Sequence, residues 1–260
     1  MPTVQSDGCA INYQVEGPAN APVLMLCNSI GTNLSMWDDQ VPHLTKHFRL
    51  VRYDRRGHGK SGAPKGAYTM DQLGRDALAV ADAAGARTFN WCGLSMGGMV
   101  GQWLGANAPQ RLIRLVITNT NDYYQDKKPW NDRIQLVEEK GLAALGDVMM
   151  ERWFTPAFRA GSPDKVARVR AMFVATPADG FIGCCCAVRD MDYRESNKRI
   201  TTPTLVMVGA KDGATIPAWG EAIARQIKGA QFASVPDAAH LANIEQTKVY
   251  TETVLNFLRS

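Results

Sequence analysis

A chain of 260 residues is long enough for one large domain or two small ones with a sizeable buried core. Apolar residues make up 45% and charged residues 21%, and the 23 glycines and 13 prolines are spread along the chain, which excludes disordered, fibrous and low-complexity classes. Lys and Arg number 29 against 25 acids, a net charge of +4 without any polybasic run, so no nucleic-acid partner is expected.

Two β-like runs, Thr3–Ser6 and Cys9–Glu16, flank Asp7-Gly8, a dipeptide suited to the positive-φ positions of a hairpin turn. Short apolar runs then recur at Val23–Cys27, 48–53, 88–92, 112–119, Thr204–Gly209 and Gln231–Val235, as strands buried on both faces do. Between them, 69–84 places Met70, Leu73, Ala77, Val80 and Ala81 at helical spacing, with Thr69 and Gln72 as a capping box and Gly85 as a stop. This alternation predicts an α/β fold with a mostly parallel central sheet flanked by helices. It fails over 122–195, where helix-like segments at 130–140, 142–154 and 163–175 stand without a strand among them. The expected division is a core of residues 1–121 and 196–260, interrupted by a helical cap (lid) of residues 122–195 at one end of the sheet.

The apolar stretch Val23–Cys27 covers five residues, well short of the roughly 20 that span a membrane or the 7 to 15 of a secretory leader, so a soluble cytoplasmic protein is expected. The six cysteines form neither a C-x-x-C pair nor a zinc spacing, and are expected as reduced, largely buried thiols rather than a metal site.

Gly93-Leu94-Ser95-Met96-Gly97 follows a strand-like run and opens a helix-like one, the setting of a G-x-S-x-G nucleophile elbow. A serine hydroxyl is a weak nucleophile at neutral pH; it needs an imidazole to take its proton and an acid to orient that imidazole. Among four histidines, His240 follows the last strand-like run and can reach Ser95 from the sheet's carboxyl end, whereas His43 and His47 precede a strand and His58 sits in a glycine-rich turn. Asp212, after the penultimate strand, completes the order Ser, Asp, His; Asp237 is the rival acid, better suited to local turn bonds. The oxyanion made by attack on a carbonyl calls for backbone N–H donors, expected from Met96 and from Ile30 in the loop after Val23–Cys27. Gly57-His58-Gly59-Lys60-Ser61-Gly62 satisfies G-x-G-x-x-G, but Asp54 occupies the position where a phosphate loop needs its first glycine, and no helix follows; a structural turn is expected.

With these residues in view, the chain resembles the α/β-hydrolase family over nearly its whole length, through the elbow, Asp212, His240 and the turn 54–61, which looks like the family's D-x-R-G-H-G-x-S. More narrowly it resembles 3-oxoadipate enol-lactonases, through residues 28–37 (NSIGTNLSMW), 92–98 (CGLSMGG) and 151–155 (ERWFT). The resemblance implies hydrolysis of a small enol-lactone in bacterial breakdown of aromatic acids, through an acyl-enzyme and without metal or organic cofactor. The substrate's carboxylate should then meet a cation or N–H donor in the cap, for which Trp130, Arg133 and Arg189 are the candidates. A carboxylesterase on the same fold, or a small-molecule receptor, would be the rival readings.

Overall fold

The computed structural model describes residues 2–260. Strands β1 (Thr3–Ser6), β2 (Cys9–Glu16), β3 (Val23–Cys27), β4 (Arg49–Tyr53), β5 (Phe89–Leu94), β6 (Leu112–Thr118), β7 (Thr204–Gly209) and β8 (Gln231–Val235) form one sheet in the order β1-β2-β4-β3-β5-β6-β7-β8. The β1–β2 hairpin turns through Asp7 (φ 44) and Gly8 (φ 71), and β2 also pairs antiparallel with β4; every other pairing is parallel. All residues of β5 and β7 are buried, which is why these strands read as unbroken apolar runs rather than alternating ones.

Helices α1 (Val41–Leu44), α2 (Met70–Ala83) and α3 (Met96–Asn107) precede β6. Then α4 (Lys128–Lys140), α5 (Gly146–Trp153), α6 (Pro156–Gly161), α7 (Pro163–Val174) and α8 (Ala178–Asp190) lie between β6 and β7, and α9 (Pro217–Gln226), α10 (Ala242–Glu245) and α11 (Thr247–Arg259) follow. Strand alternation assigns two of these helices to opposite faces. The Trp91 indole donates to the Gly97 carbonyl of α3, while the next side chain along β5, Cys92, meets the Tyr250 hydroxyl of α11. The expected capping box is present: Thr69 Oγ1 accepts from the Gln72 N–H, and the Gln72 side chain accepts from the Thr69 N–H.

The helical segment departs from expectation in two places. Helix α8 lies outside the segments predicted as helical, because Gly180, Gly183 and three consecutive cysteines weaken its local propensity. It forms through burial, with Phe181, Cys184, Cys185 and Val188 turned inward. Helix α6 was likewise hidden, since Pro156 reads as a break although it occupies the first helical turn, capped by Thr155. No single helix among the described residues is long and apolar enough to cross a membrane; only α7 and α8 reach that length and composition together, and they are bent by 92°.

The helical segment rests directly on the turn that follows β4. Gly57 and Gly180 meet backbone to backbone, so a Cβ on Gly57 would lie 2.5 Å from the Gly180 Cα. Gly57 also has φ 78, so its backbone conformation and this contact both require glycine.

Candidate active site

Strand β5 runs into α3 through Ser95, whose backbone (φ 58, ψ −116) lies outside the regions open to ordinary L-residues. Tertiary bonds hold that conformation: the Ser95 N–H donates to the Thr118 carbonyl at 2.8 Å, and Thr120 Oγ1 donates to the Ser95 carbonyl at 2.7 Å. Gly93 and Gly97 flank the turn so closely that a Cβ on Gly93 would lie 2.1 Å from the Gly97 carbonyl oxygen, and one on Gly97 equally near that of Cys27. The sharp turn presents Ser95 to a cavity of about 540 Å³ at the carboxyl end of the sheet. Among the described residues its hydroxyl makes no hydrogen bond.

His240 lines the same cavity from the loop after β8. Its Nδ1 lies 2.9 Å from Asp212 Oδ2, which fixes the proton on Nδ1 and leaves Nε2 as the acceptor. The Asp212 carboxylate is fully buried and accepts further bonds from the N–H groups of Ala214 and Thr215, from Thr215 Oγ1 and from Asn119 Nδ2, at 2.7 to 2.9 Å. Burial alone would raise the Asp212 pKa, but the facing imidazole and these donors outweigh it and hold the carboxyl below its ordinary range. Asn119 adopts φ 47, a left-handed conformation that asparagine tolerates, as β6 ends one residue short of the expected 112–119. Asp237, the rival acid, is 72% exposed and pairs with Lys211. The Trp153 ring stacks on His240 at 6.2 Å between centroids.

The N–H groups of Ile30 and Met96 have no protein acceptor among the described residues, and Ile30 lines the cavity with Ser95. The turn 54–61 holds the Ile30 loop in place. Arg55 donates to the carbonyls of Asn28 and Ser29 at 2.6 and 2.9 Å, and His58 Nε2 accepts from the Gly31 N–H at 2.8 Å. Burial, and then the nearby Arg55 charge, push the His58 pKa well below its usual value, so it stays a neutral acceptor. The turn that contains the G-x-G-x-x-G pattern thus serves as scaffold for this loop, and Asp54 at its start accepts from the N–H groups of Leu34 and Lys60.

On its other side the cavity is walled by the helical segment, through Tyr124, Trp130, Arg133, Met149, Arg152 and Trp153. Arg133 lies over the Trp130 ring and has no carboxylate partner among the described residues. Arg152, part of the 151–155 stretch but not among the residues expected to meet the substrate carboxylate, also faces the cavity and has no hydrogen-bond or ion-pair partner among the described residues. Arg194 lines it too, but is paired with Asp192. Arg189 requires a correction: it does not line the cavity, because its guanidinium is bound to Asp190 and Asn131 on the outer side of α8. All six cysteines are free thiols, and no group of His, Cys, Asp and Glu among the described residues is placed to hold a metal ion.

This chain belongs to the α/β-hydrolase fold family, whose profile matches residues 22–247. Among characterised relatives it is 36% identical to 3-oxoadipate enol-lactonase 2 of Acinetobacter baylyi, over 97% of this chain and 94% of that protein. Among solved structures, an enol-lactonase from Burkholderia xenovorans LB400 superposes with a TM-score of 0.97 at 39% identity, covering 100% of both chains. A hydrolase from Pseudomonas aeruginosa PA01 superposes with a TM-score of 0.95 at 44% identity, covering 99% of this chain and 97% of its own.

Proposed function

We propose that this chain is a serine hydrolase that opens 3-oxoadipate enol-lactone to 3-oxoadipate in the cytoplasmic breakdown of aromatic acids, with residues 122–195 as a cap over the site. One observation carries the reading most: Ser95 and His240, the latter bonded to the buried Asp212, share a cavity with Arg133, a guanidinium free to meet a substrate carboxylate. His240 takes the proton of Ser95 as its oxygen attacks the lactone carbonyl, and the Ile30 and Met96 N–H groups receive the developing oxyanion. Collapse breaks the ring C–O bond as His240 returns its proton to the leaving oxygen, giving an acyl-enzyme and an enol that becomes a ketone; the neutral His240 then takes a proton from the attacking water and passes it to Ser95 as the acid is released. An enolate leaves more readily than an alkoxide, so the demand falls on activating Ser95 and holding the oxyanion. The unpaired guanidiniums favour a carboxylated substrate over a neutral ester.

The test is hydrolysis of freshly prepared 3-oxoadipate enol-lactone by the wild type and by Ser95→Ala, with p-nitrophenyl acetate as the neutral comparison. Lactone turnover that exceeds acetate turnover and falls by on the order of a millionfold in Ser95→Ala is expected. Acetate turnover equal to or above that of the lactone would withdraw the substrate and leave a broader carboxylesterase.

A further inference from the structure

Glu245, at the end of α10, is a buried carboxylate with no cation beside it among the described residues. Burying such a charge is costly unless its oxygens are fully bonded. Here both are. Oε1 accepts from the N–H and the hydroxyl of Thr155, at 2.7 and 2.8 Å, and Oε2 accepts from the N–H of Ala239. Burial pushes this carboxyl above its ordinary value, while the Ala239 and Thr155 bonds act against that.

Its two sets of donors belong to different parts of the molecule. Thr155 follows α5 in the helical segment, and Ala239 precedes His240. The same junction carries two more contacts: the Leu241 N–H donates to the Trp153 carbonyl at 3.1 Å, and the Trp153 ring stacks on His240. On the far side of residue 239, its carbonyl accepts from Asn119 Nδ2 at 3.2 Å, the same amide that binds Asp212. Ala239 is therefore gripped at its N–H by Glu245 and at its carbonyl by Asn119, which fixes where the His240 side chain emerges. Only an acceptor on both oxygens fits these donors; a glutamine would turn an NH2 toward one set.

We infer that Glu245 is a positioning residue for His240, clamping residues 153–155 of the helical segment to the loop that carries the imidazole. The inference rests on His240 as the base of the proposed reaction. It further implies that residues 153–155 cannot lift from the core without displacing His240.

The experiment measures kcat and KM on p-nitrophenyl acetate, and the rate of inactivation by a fluorophosphonate, for the wild type, His240→Ala, Glu245→Gln, Thr155→Val, Thr155→Ser and the Glu245→Gln, Thr155→Val double variant. Misplacing a catalytic group by about 1 Å can cost on the order of 100-fold. Glu245→Gln should accordingly lower kcat and the inactivation rate by roughly 10- to 100-fold, with KM within about twofold of the wild type. Thr155→Val should lose several-fold in kcat, Thr155→Ser should restore it, and the double variant should lose less than the product of the two. If Glu245→Gln does not fold, Thr155→Val and its serine rescue carry the test. A folded Glu245→Gln or Thr155→Val with wild-type kcat and inactivation rate, beside an inactive His240→Ala, would overturn the clamp alone. Full activity in His240→Ala would overturn the base assignment and the clamp with it.

Discussion

The Arg133 guanidinium lies 4.4 Å from the centre of the Trp130 ring, so a cation is held over an indole face at the cavity wall with no carboxylate among the described residues to neutralise it. Burial, with the Arg152 charge acting in the same direction, lowers the Arg133 pKa, yet a guanidinium remains charged at neutral pH. The stacked ring holds the planar fork in one orientation, which reduces the freedom lost when it grips an anion.

Arg133→Ala should therefore raise KM for a carboxylated lactone by roughly 10- to 100-fold, the range of a hydrogen bond to a charged group, while sparing p-nitrophenyl acetate. Arg189→Ala, whose side chain is engaged on the outer side of α8, should stay within about twofold on both substrates. Steady-state kinetics on the two substrates decides; equal losses for Arg133→Ala on both would remove it from carboxylate recognition.

Thr215→Val removes one donor from Asp212 at nearly constant volume. Its kcat should fall by about tenfold as the His240 partner loses its alignment. The acid side has a definite sign. Asp212 has a folded pKa below its unfolded one, so its charge contributes stability above the unfolded value of about 3.9 that is lost as pH falls through the folded value. Taking away a donor to the charged form moves the folded value upward. The acid-unfolding midpoint of Thr215→Val, followed by circular dichroism from pH 5 to pH 2, should shift to higher pH than that of the wild type.

Gly57→Ala should destabilise the protein by about 2 to 4 kcal/mol, because the new methyl must enter the Gly180 backbone and the residue must keep a left-handed φ. Gly85→Ala shares the positive φ (70°) but meets nothing within 4 Å, so it should cost only about 1 to 2 kcal/mol. Urea denaturation of both variants separates the contact from the backbone strain; equal losses would mean the contact relaxes freely.

Burial raises the pKa of every cysteine thiol, that of Cys184 to about 11 and that of Cys92 to about 12. The thiols are therefore protonated at neutral pH and poorly nucleophilic. Titration of the native protein with an aromatic disulfide reagent at pH 7.5 should find at most one fast-reacting group, the half-buried Cys186, and six after denaturation. Several fast thiols in the native state would contradict the packing around α8.

Much of this site is legible along the chain because its signals are local. The G-x-S-x-G spacing marks a turn too tight for side chains, and Asp212 and His240 each follow a strand at the same end of the sheet. What supports them is not legible. Asn119 reaches Asp212 across 93 residues of sequence and Glu245 reaches Thr155 across 90; either would pass as an ordinary polar residue until the topology brings the partners together. Arg189 and Arg133 look alike in sequence, each an arginine in the stretch between β6 and β7. Only the direction of each side chain relative to the cavity separates them, and Asp190, the residue next to Arg189, draws it outward. Helix α8 was illegible for the opposite reason, since its residues have weak helical preference and packing supplies what local propensity lacks.

The backbone contact between Gly57 and Gly180 bears on anyone who would build chimaeras from this scaffold. Exchanging residues 122–195 for the corresponding stretch of another hydrolase looks like a clean two-junction graft, because that stretch leaves after one parallel strand and returns at the next. It is not self-contained. A donor segment with any side chain at the position of Gly180 would collide with the turn that scaffolds the Ile30 loop, so a transplant has to match its recipient at residue 57 as well as at its two ends.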